Sequence, residues 1–179
     1  MGNVVLYIAT SLDGFIARPD GNLDWLVSTP PPNEGDYGYK ALLESVEAII
    51  MGKETYKEVL SFGEWVYPDY DTFVLSRDIS FLPTTPRTKA VHNNLPAFVG
   101  ELKEKTAKNI WLVGGGQIIT EFLRYDLIDK MILTIVPCIL GEGIRLFPNK
   151  PKESIWTLTK VESFNTGLVN LTYKKATDL

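Results

Sequence analysis

Short apolar runs alternate with amphipathic stretches along most of the chain. The runs at residues 4–10, 48–51, 73–75, 110–113 and 130–136 have the continuous apolar pattern of buried strands, and residues 89–92 form a further short strand. The stretches between them have apolar residues at helical spacing and predict helices that begin at Asp36, Lys53, Leu95 and Gly116. This alternation predicts an α/β fold of three layers, with helices on both faces of a mostly parallel mixed sheet.

The helix that begins at Gly116 has the clearest division into two faces. Its predicted buried face consists of Ile118, Ile119, Phe122 and Leu123, and its predicted solvent face of Gln117, Thr120, Glu121 and Arg124. We therefore expect this helix to pack back on the sheet.

Turn signals complete the predicted architecture. Residues 155–163 and 168–174 flank Asn165-Thr166-Gly167, which predicts a C-terminal antiparallel hairpin. Three consecutive prolines, at positions 30 to 32, can continue neither a helix nor a central strand and predict a surface loop over residues 27–35. A chain of 179 residues is long enough to bury one core, so we expect residues 1–179 to form a single domain.

The charge of the chain excludes several classes of partner. The formal net charge is -4 and no run of basic residues occurs, which argues against binding to nucleic acid or to an anionic membrane. No apolar run approaches the roughly 20 residues of a membrane span, and the first residues lack the pattern of a signal peptide. We therefore expect a cytoplasmic protein.

The supply of reactive side chains excludes several kinds of site. With one cysteine, Cys138, and one histidine, His92, the chain can form neither an internal disulfide framework nor a structural zinc site built from Cys and His, and we predict no metal. The Gly-x-Ser-x-Gly pattern of a nucleophile elbow is also missing, which argues against a serine hydrolase of that type.

Three consecutive glycines, Gly114, Gly115 and Gly116, follow the strand at residues 110–113 and precede a helix. Glycines let a ligand approach the backbone closely, and the free N–H groups of a first helical turn attract anions. The sequence therefore predicts a phosphate-binding turn, with a purely structural turn as the alternative.

A second strand ends at Gly52, directly before Lys53 and Thr55. A lysine at a helix N-terminus opposes the helix dipole unless an anion lies between them, although a solvated surface lysine is the alternative. The P-loop of nucleotide triphosphatases is disfavoured because Glu47 stands where its first glycine would be. At the next strand end, Ser76 and Arg77 supply a hydroxyl and a planar cationic donor that suit a phosphate monoester.

Several ordered motifs together resemble a known family. Ile8-Ala9-Thr10, Asp24-Trp25, Ile49-Ile50-Met51-Gly52-Lys53-x-Thr55-Tyr56, Val74-Leu75-Ser76, Val113-Gly114-Gly115-Gly116-Gln117 and Leu133-Thr134 resemble dihydrofolate reductase across nearly the whole chain. More narrowly, Ser11-Leu12-Asp13-Gly14-Phe15-Ile16-Ala17, Asp20-Gly21-x-Leu23-Asp24-Trp25-Leu26 and Pro137-x-x-Leu140-Gly141-x-Gly143 resemble relatives of the C-terminal reductase domain of the riboflavin-pathway enzyme RibD.

The resemblance implies a dihydrofolate reductase-like fold and an NADPH-binding reductase. It implies a nicotinamide near Thr10, Ile16 and Ala17, a pyrophosphate between the helices that begin at Lys53 and Gly116, and a 2′-phosphate near Lys53, Ser76 and Arg77. The residues expected to contact the cofactor are thus Thr10, Ile16, Ala17, Gly52, Lys53, Thr55, Leu75, Ser76, Arg77, Val113, Gly114, Gly115, Gly116, Gln117 and Ile118.

The resemblance also implies an acid early in the first helix, and Asp36 falls at that place. Asp36 would orient the substrate or relay a proton, although aspartate is also a favoured helix cap. Asp13 and Glu142, both in loops that contain glycine, are alternative catalytic acids. We expect Trp25, Asp36, Tyr39 and Thr134 to contact the substrate.

One departure from the folate enzymes bears on the substrate. They hold the glutamate tail of folate with an arginine before the strand that carries Val74, and this chain has no arginine between Gly52 and Phe73. RibD itself reduces a phosphorylated ribosylamino-pyrimidinone, and the zinc signature of its deaminase half is missing here. We therefore expect an NADPH-dependent reductase of a small pyrimidine- or pterin-like heterocycle, with a RibD-like reaction. The alternatives are a true dihydrofolate reductase and a non-catalytic NADPH-binding module.

RibD-like domains often pair, so we also expect a homodimer with the aromatic C-terminal hairpin at its contact.

Overall fold

The structure is a computed structural model, and it describes residues 1–27, 36–92 and 94–176. Its strands are β1 (Val4–Ser11), β2 (Phe15–Ala17), β3 (Val46–Gly52), β4 (Asp71–Leu75), β5 (Thr88–Val91), β6 (Asn109–Gly114), β7 (Lys130–Val136), β8 (Ile144–Arg145), β9 (Trp156–Ser163) and β10 (Val169–Lys175). Its helices are α1 (Asp24–Val27), α2 (Tyr39–Ser45), α3 (Lys53–Ser61), α4 (Leu95–Lys105) and α5 (Gly116–Arg124). From residue 28 onward, the surface loop predicted for residues 27–35 lies outside the described residues.

Eight strands form one mixed sheet in the order β5-β4-β3-β6-β1-β7-β10-β9. The six strands from β5 to β7 are mutually parallel, and β10 pairs antiparallel with both β7 and β9. The mostly parallel mixed sheet and the C-terminal antiparallel hairpin are therefore confirmed. Strands β2 and β8 pair in a second, two-stranded antiparallel sheet that the sequence patterns did not predict.

Side chains that alternate along the central strands build two separate apolar layers. On one face, Leu6 and Leu112 pack with Phe122 of α5 and Val99 of α4. On the other face, strand residues pack with Leu42 of α2 and Tyr56 of α3. Helices thus cover both faces of the sheet, and the predicted three-layer fold is confirmed.

Two local predictions were wrong. The first helix after the proline stretch begins at Tyr39 and not at Asp36, because Tyr37 and Gly38 have positive φ values of 61° and 87° that cannot continue into a helix. Thr120, assigned to the solvent face of α5, is buried, and its Oγ1 lies 2.9 Å from the carbonyl oxygen of Pro148. The segment after β8 folds over this part of α5 and covers it.

No helix within the described ranges is long and apolar enough to cross a bilayer. Among those same residues, no cluster of three or more His, Cys, Asp or Glu side chains could hold a metal ion.

Candidate active site

A deep cleft opens where the parallel strands end. Gly52 of β3, Leu75 of β4 and Val113 of β6 line it, although they are far apart in the sequence. The cleft has a volume of about 1640 Å³, larger than the roughly 300–1,000 Å³ of a site for one drug-sized ligand. The cleft therefore has room for more than one drug-sized ligand.

The N-termini of α3 and α5 lie next to each other in this cleft. Strands β3 and β6 are paired so that Met51 lies opposite Gly114, which brings the two following helices together. A side-chain carbon placed on Gly115 would lie 3.5 Å from Oγ1 of Thr55 in α3, and one placed on Gly52 would lie 2.9 Å from Cγ1 of Ile118 in α5. The two predicted phosphate-binding turns therefore form one region.

Neither of these helix N-termini is capped by a side chain. Gly52 and Gly115 are the N-cap residues of α3 and α5, and neither helix has a side-chain cap hydrogen bond. In α4, by contrast, the side chain of Asn94 accepts a hydrogen bond from the backbone N–H of Ala97. The first turns of α3 and α5 thus leave backbone donors available to an anionic group.

Lys53, at the start of α3, has an anionic partner in the protein itself. Its Nζ lies 2.8 Å from Oδ2 of Asp78 and 5.2 Å from the centre of the Phe81 ring. The hydrogen bond from Lys53, followed by those from Ser80, holds the pKa of Asp78 well below its usual range. The positive charge of Lys53, which is unfavourable at a helix N-terminus, is therefore already compensated by the carboxylate of Asp78.

Ser76, Arg77 and His92 lie together where β4 and β5 end. All three line the cleft, and Nδ1 of His92 lies 3.0 Å from the backbone carbonyl oxygen of Ser76. Because a carbonyl only accepts, Nδ1 donates in this contact and Nε2 is left for another partner. Arg77 makes no ion pair with any residue that the structure describes. His92 was not among the predicted site residues.

Arg145 is a second site residue that the sequence analysis missed. It lies in β8, which pairs with β2, and its guanidinium lies 5.4 Å from the centre of the Phe15 ring. Its backbone carbonyl lies directly against Gly116, the first residue of α5. Arg145 lines the cleft, and within the described ranges its side chain has no acidic partner.

Aromatic side chains line the opposite end of the cleft. The Trp111 ring centre lies 6.4 Å from that of Tyr7, 5.9 Å from that of Tyr39 and 5.5 Å from that of Tyr67. Burial raises the pKa of Tyr7 to about 12 and also raises that of Tyr67. This end of the cleft is therefore a surface of weakly polar rings, with phenols that stay neutral at physiological pH.

Asp36 borders this aromatic end. Its carboxylate lines the cleft and accepts hydrogen bonds from the backbone N–H groups of Gly38, at 3.1 Å, and Lys40, at 2.6 Å. The carbonyl oxygen of Tyr37 accepts from the Tyr7 hydroxyl at 3.2 Å and from Nδ2 of Asn170 at 2.6 Å. Asp36 therefore lines the cleft and also binds the backbone at the start of α2.

Thr134 connects the cleft to the segment around Asp36. Its side chain is buried, and its Oγ1 donates to Oδ1 of Asn170 at 2.7 Å. Asn170 in turn binds the carbonyl of Tyr37. Thr134 thus lines the cleft and is linked through Asn170 to the segment beside Asp36.

Most of the predicted site residues line this one cleft, and a few do not. Those that line it are Ile16, Ala17, Asp36, Tyr39, Gly52, Lys53, Thr55, Leu75, Ser76, Arg77, Val113, Gly115, Gly116, Gln117, Ile118 and Thr134. Those outside its lining are Thr10, Asp13, Trp25, Gly114 and Glu142.

The residues outside the lining have other surroundings. The Thr10 hydroxyl is buried and lies 3.2 Å from the carbonyl oxygen of Phe15, and Gly114 is buried behind the turn. Trp25 packs in a core cluster with Val136 and Leu168. Glu142 is exposed in the loop before β8.

The carboxylate of Asp13 joins two loops. It accepts hydrogen bonds from the Ser11 hydroxyl and from the backbone N–H groups of Leu140 and Gly141. These bonds, with that from Ser11 contributing most, hold its pKa at about 2. Its oxygens are thus occupied in fixing the loop that leads to β8.

Comparison with known proteins places the chain in a family. The sequence model of the RibD C-terminal domain matches residues 3–170. YwjB of Bacillus subtilis (strain 168), an uncharacterized protein, is 35% identical over 173 residues, which cover 96% of this chain and 97% of YwjB.

Solved structures agree with this assignment. The crystal structure of a protein from Shewanella sp. PV-4 named for riboflavin biosynthesis superposes with a TM-score of 0.88 at 36% identity, covering 98% of this chain and 99% of that one. A pyrimidine reductase-like protein of Corynebacterium diphtheriae has the same fold, with a TM-score of 0.71 at 18% identity over 99% of this chain and 93% of that one. The chain therefore belongs to the RibD C-terminal domain family and has its dihydrofolate reductase-like fold.

Proposed function

We propose that this protein is an NADPH-dependent reductase that transfers hydride to a pyrimidine- or pterin-like heterocycle. The observation that carries the proposal is the meeting of two uncapped helix N-termini, at Gly52 and Gly115, beside Arg77 and next to an aromatic recess in the same cleft. One end suits a phosphorylated cofactor and the other suits a flat ring.

The residues at the helix starts fit NADPH. The turn is open at Gly115, where a side-chain carbon would lie 3.5 Å from Oγ1 of Thr55 and 4.0 Å from Cδ1 of Ile16, whereas Gly116 packs against the carbonyl oxygen of Arg145. The first turns of α3 and α5 would donate to the pyrophosphate through their free backbone N–H groups. Ser76, Arg77 and Lys53 would hold the 2′-phosphate, with Lys53 exchanging its contact with Asp78 for one with the phosphate.

Hydride chemistry would come from the nicotinamide, and the protein would supply binding, orientation and a water-poor site. Ile16 and Ala17 line the cleft between the glycine turn and the aromatic end and would border the nicotinamide. Tyr7, Tyr39 and Trp111 would exclude water from the substrate ring. Asp36, the carboxylate at this end, would orient the substrate or hold the proton that accompanies hydride transfer.

Loss of NADPH absorbance in the presence of pyrimidine and pterin compounds tests the proposal. Asp36→Asn should lower turnover by about 100-fold or more if its carboxylate handles a proton. Asp13→Asn and Glu142→Gln make the same acid-to-amide change at the two alternative acids, which lie in loops outside the cleft lining. Turnover that survives Asp36→Asn and is lost in either of these would move the acid to that position.

Two other outcomes favour the rival functions. Turnover of dihydrofolate at enzymatic rates would identify a true folate reductase. Tight NADPH binding with no compound reduced would favour a non-catalytic binding module.

A further inference from the structure

We propose that the substrate of this cleft carries no phosphate group and is a planar, uncharged or cationic heterocycle. The inference rests on the proposed function, because it takes the two glycine-flanked helix starts as the cofactor end. It separates this chain from RibD, which it resembles and whose reductase substrate is phosphorylated.

All of the positive side chains in the described lining of the cleft belong to the cofactor side or to α3. They are Lys53 and Lys57 of α3, Arg77 after β4, and Arg145 of β8. Lys53, whose Nζ lies 2.8 Å from Asp78, starts α3 beside the glycine turn, and Lys57 forms an exposed ion pair with Glu54 on the same helix at 3.1 Å. Arg77 follows β4 at the proposed 2′-phosphate position, and Arg145 lies in β8, whose backbone packs against the first residue of α5.

The substrate end has the opposite character. Its lining includes Tyr7, Tyr39 and Asp36, together with Tyr67 and Trp111, which are almost fully buried. Burial is the largest reason for the raised pKa of the Tyr7 phenol, and the charges of Asp36 and Tyr39 raise it further. The residues outside the described ranges, 28–35, 93 and 177–179, include no lysine or arginine. The undescribed part of the chain therefore cannot add a cation to this end.

A phosphate bound against these rings would face the carboxylate of Asp36 and side chains that carry no positive charge. Proteins bind phosphate through charge-assisted hydrogen bonds from arginine, lysine or helix N-termini, and desolvating an anion without them is unfavourable. A flat ring without a negative charge would instead stack on the aromatic side chains and place its polar edge toward Asp36. The distribution of charge thus selects against a phosphorylated substrate.

A matched ligand pair tests this in the NADPH-saturated protein. Binding of NADPH is first established by quenching of tryptophan fluorescence, and its failure would remove the proposed function before the pair is used. Uridine and uridine monophosphate, which differ in one phosphate, are then titrated while the indole N–H resonance of Trp111 is followed by NMR. This N–H donates to the carbonyl of Tyr7 at the aromatic end, and a Trp111→Phe variant assigns the resonance.

Uridine is expected to shift the resonance with a dissociation constant about tenfold lower than that of uridine monophosphate, as expected for the loss of one charged contact. Equal or tighter binding of the monophosphate would overturn the proposal. A resonance that neither compound moves would overturn it as well, because the aromatic end would then not accept an uncharged planar ring.

Two acid-to-amide variants locate the selectivity. Asp36→Asn removes the negative charge at the substrate end. It is expected to lower the ratio of the dissociation constants of uridine monophosphate and uridine. Glu104→Gln, on the exposed side of α4, is expected to leave the ratio unchanged. An unchanged ratio in Asp36→Asn together with preferred binding of the monophosphate would assign the site to a phosphorylated substrate.

Discussion

Single glycines decide how closely the backbone around the first turn of α5 can pack. Gly116 touches the carbonyl oxygen of Arg145, and a side-chain carbon there would also lie 3.0 Å from Cδ of Pro148. Gly100 lies within α4 and has open space around the same position. The two glycines therefore provide a matched pair for substitution.

We expect Gly116→Ala to lower the free energy of unfolding by about 1–3 kcal/mol, because β8 and the following segment must move away from α5. We expect Gly100→Ala to raise it by about 0.5–1 kcal/mol, since alanine favours a helix and meets no neighbour. Urea unfolding measures both. Equal changes in the free energy of unfolding for the two substitutions would show that Gly116 packs less tightly than it does in the structure.

The carboxylate of Asp13 makes stability depend on acid pH. Its pKa is lowered from 3.8 to about 2, so its contribution to stability is fully present above pH 3.8 and is lost as pH falls through 2. We expect Asp13→Asn to destabilise the protein near neutral pH and the difference from wild type to shrink in the acid range. Urea midpoints measured across that range check this, and a difference independent of pH would contradict the role of the charge.

Residue pattern alone could place Gly52, Gly115 and Ser76 at the cleft, because strand ends and glycine turns are visible in sequence. It could not find Arg145, whose side chain reaches the site only through the pairing of β2 with β8. It also could not separate Trp25, which packs in the core, from Tyr39, which lines the cleft. That distinction depends on which side of a short helix faces the sheet.

Among the elements, the segment between Asp36 and α2 is the one that most depends on distant contacts. Asn170 of β10 is buried, binds the carbonyl of Tyr37 and accepts from Thr134. These bonds hold the turn that presents Asp36 to the cleft. A strand at the end of the chain thus positions a residue near its beginning.

We expect Asn170→Ala to cost about 1–3 kcal/mol, because it removes the acceptor of the buried Thr134 hydroxyl and one of the two donors to the carbonyl oxygen of Tyr37. The backbone N–H of Lys40, which donates to Asp36, should then exchange with solvent faster. Asn3→Ala, at an exposed position, serves as the control in urea unfolding and hydrogen exchange. Unchanged exchange at Lys40 in Asn170→Ala would contradict the positioning role.

Element boundaries followed from sequence where a local signal marks them. Helix α4 begins at Leu95 as predicted, because Asn94 caps it and Pro96 occupies its first turn. Strand β7 also has its predicted limits. Strands β2 and β8 were missed because each is only two or three residues long, and their partners are far apart in the sequence.

For the whole molecule, the predicted homodimer stays a prediction. Strand β9 lies at an edge of the sheet and exposes Leu158 and Val161, and Ile155 precedes it. We expect these side chains to form the contact. Light scattering should report a dimer for the wild type and a monomer for Leu158→Asp plus Val161→Asp, whereas a monomeric wild type would contradict the prediction.

Across the whole cleft, we propose that two neighbouring helix starts and the end of β4 bind one cofactor with a 2′-phosphate. Quenching of tryptophan fluorescence by NADPH and by NADH measures it most directly. We predict that NADPH binds at least about tenfold more tightly and that Lys53→Ala plus Arg77→Ala abolishes the preference. Arg87→Ala, whose guanidinium pairs with Asp71 outside the cleft, should retain it. Equal affinity of the wild type for the two cofactors would contradict the account.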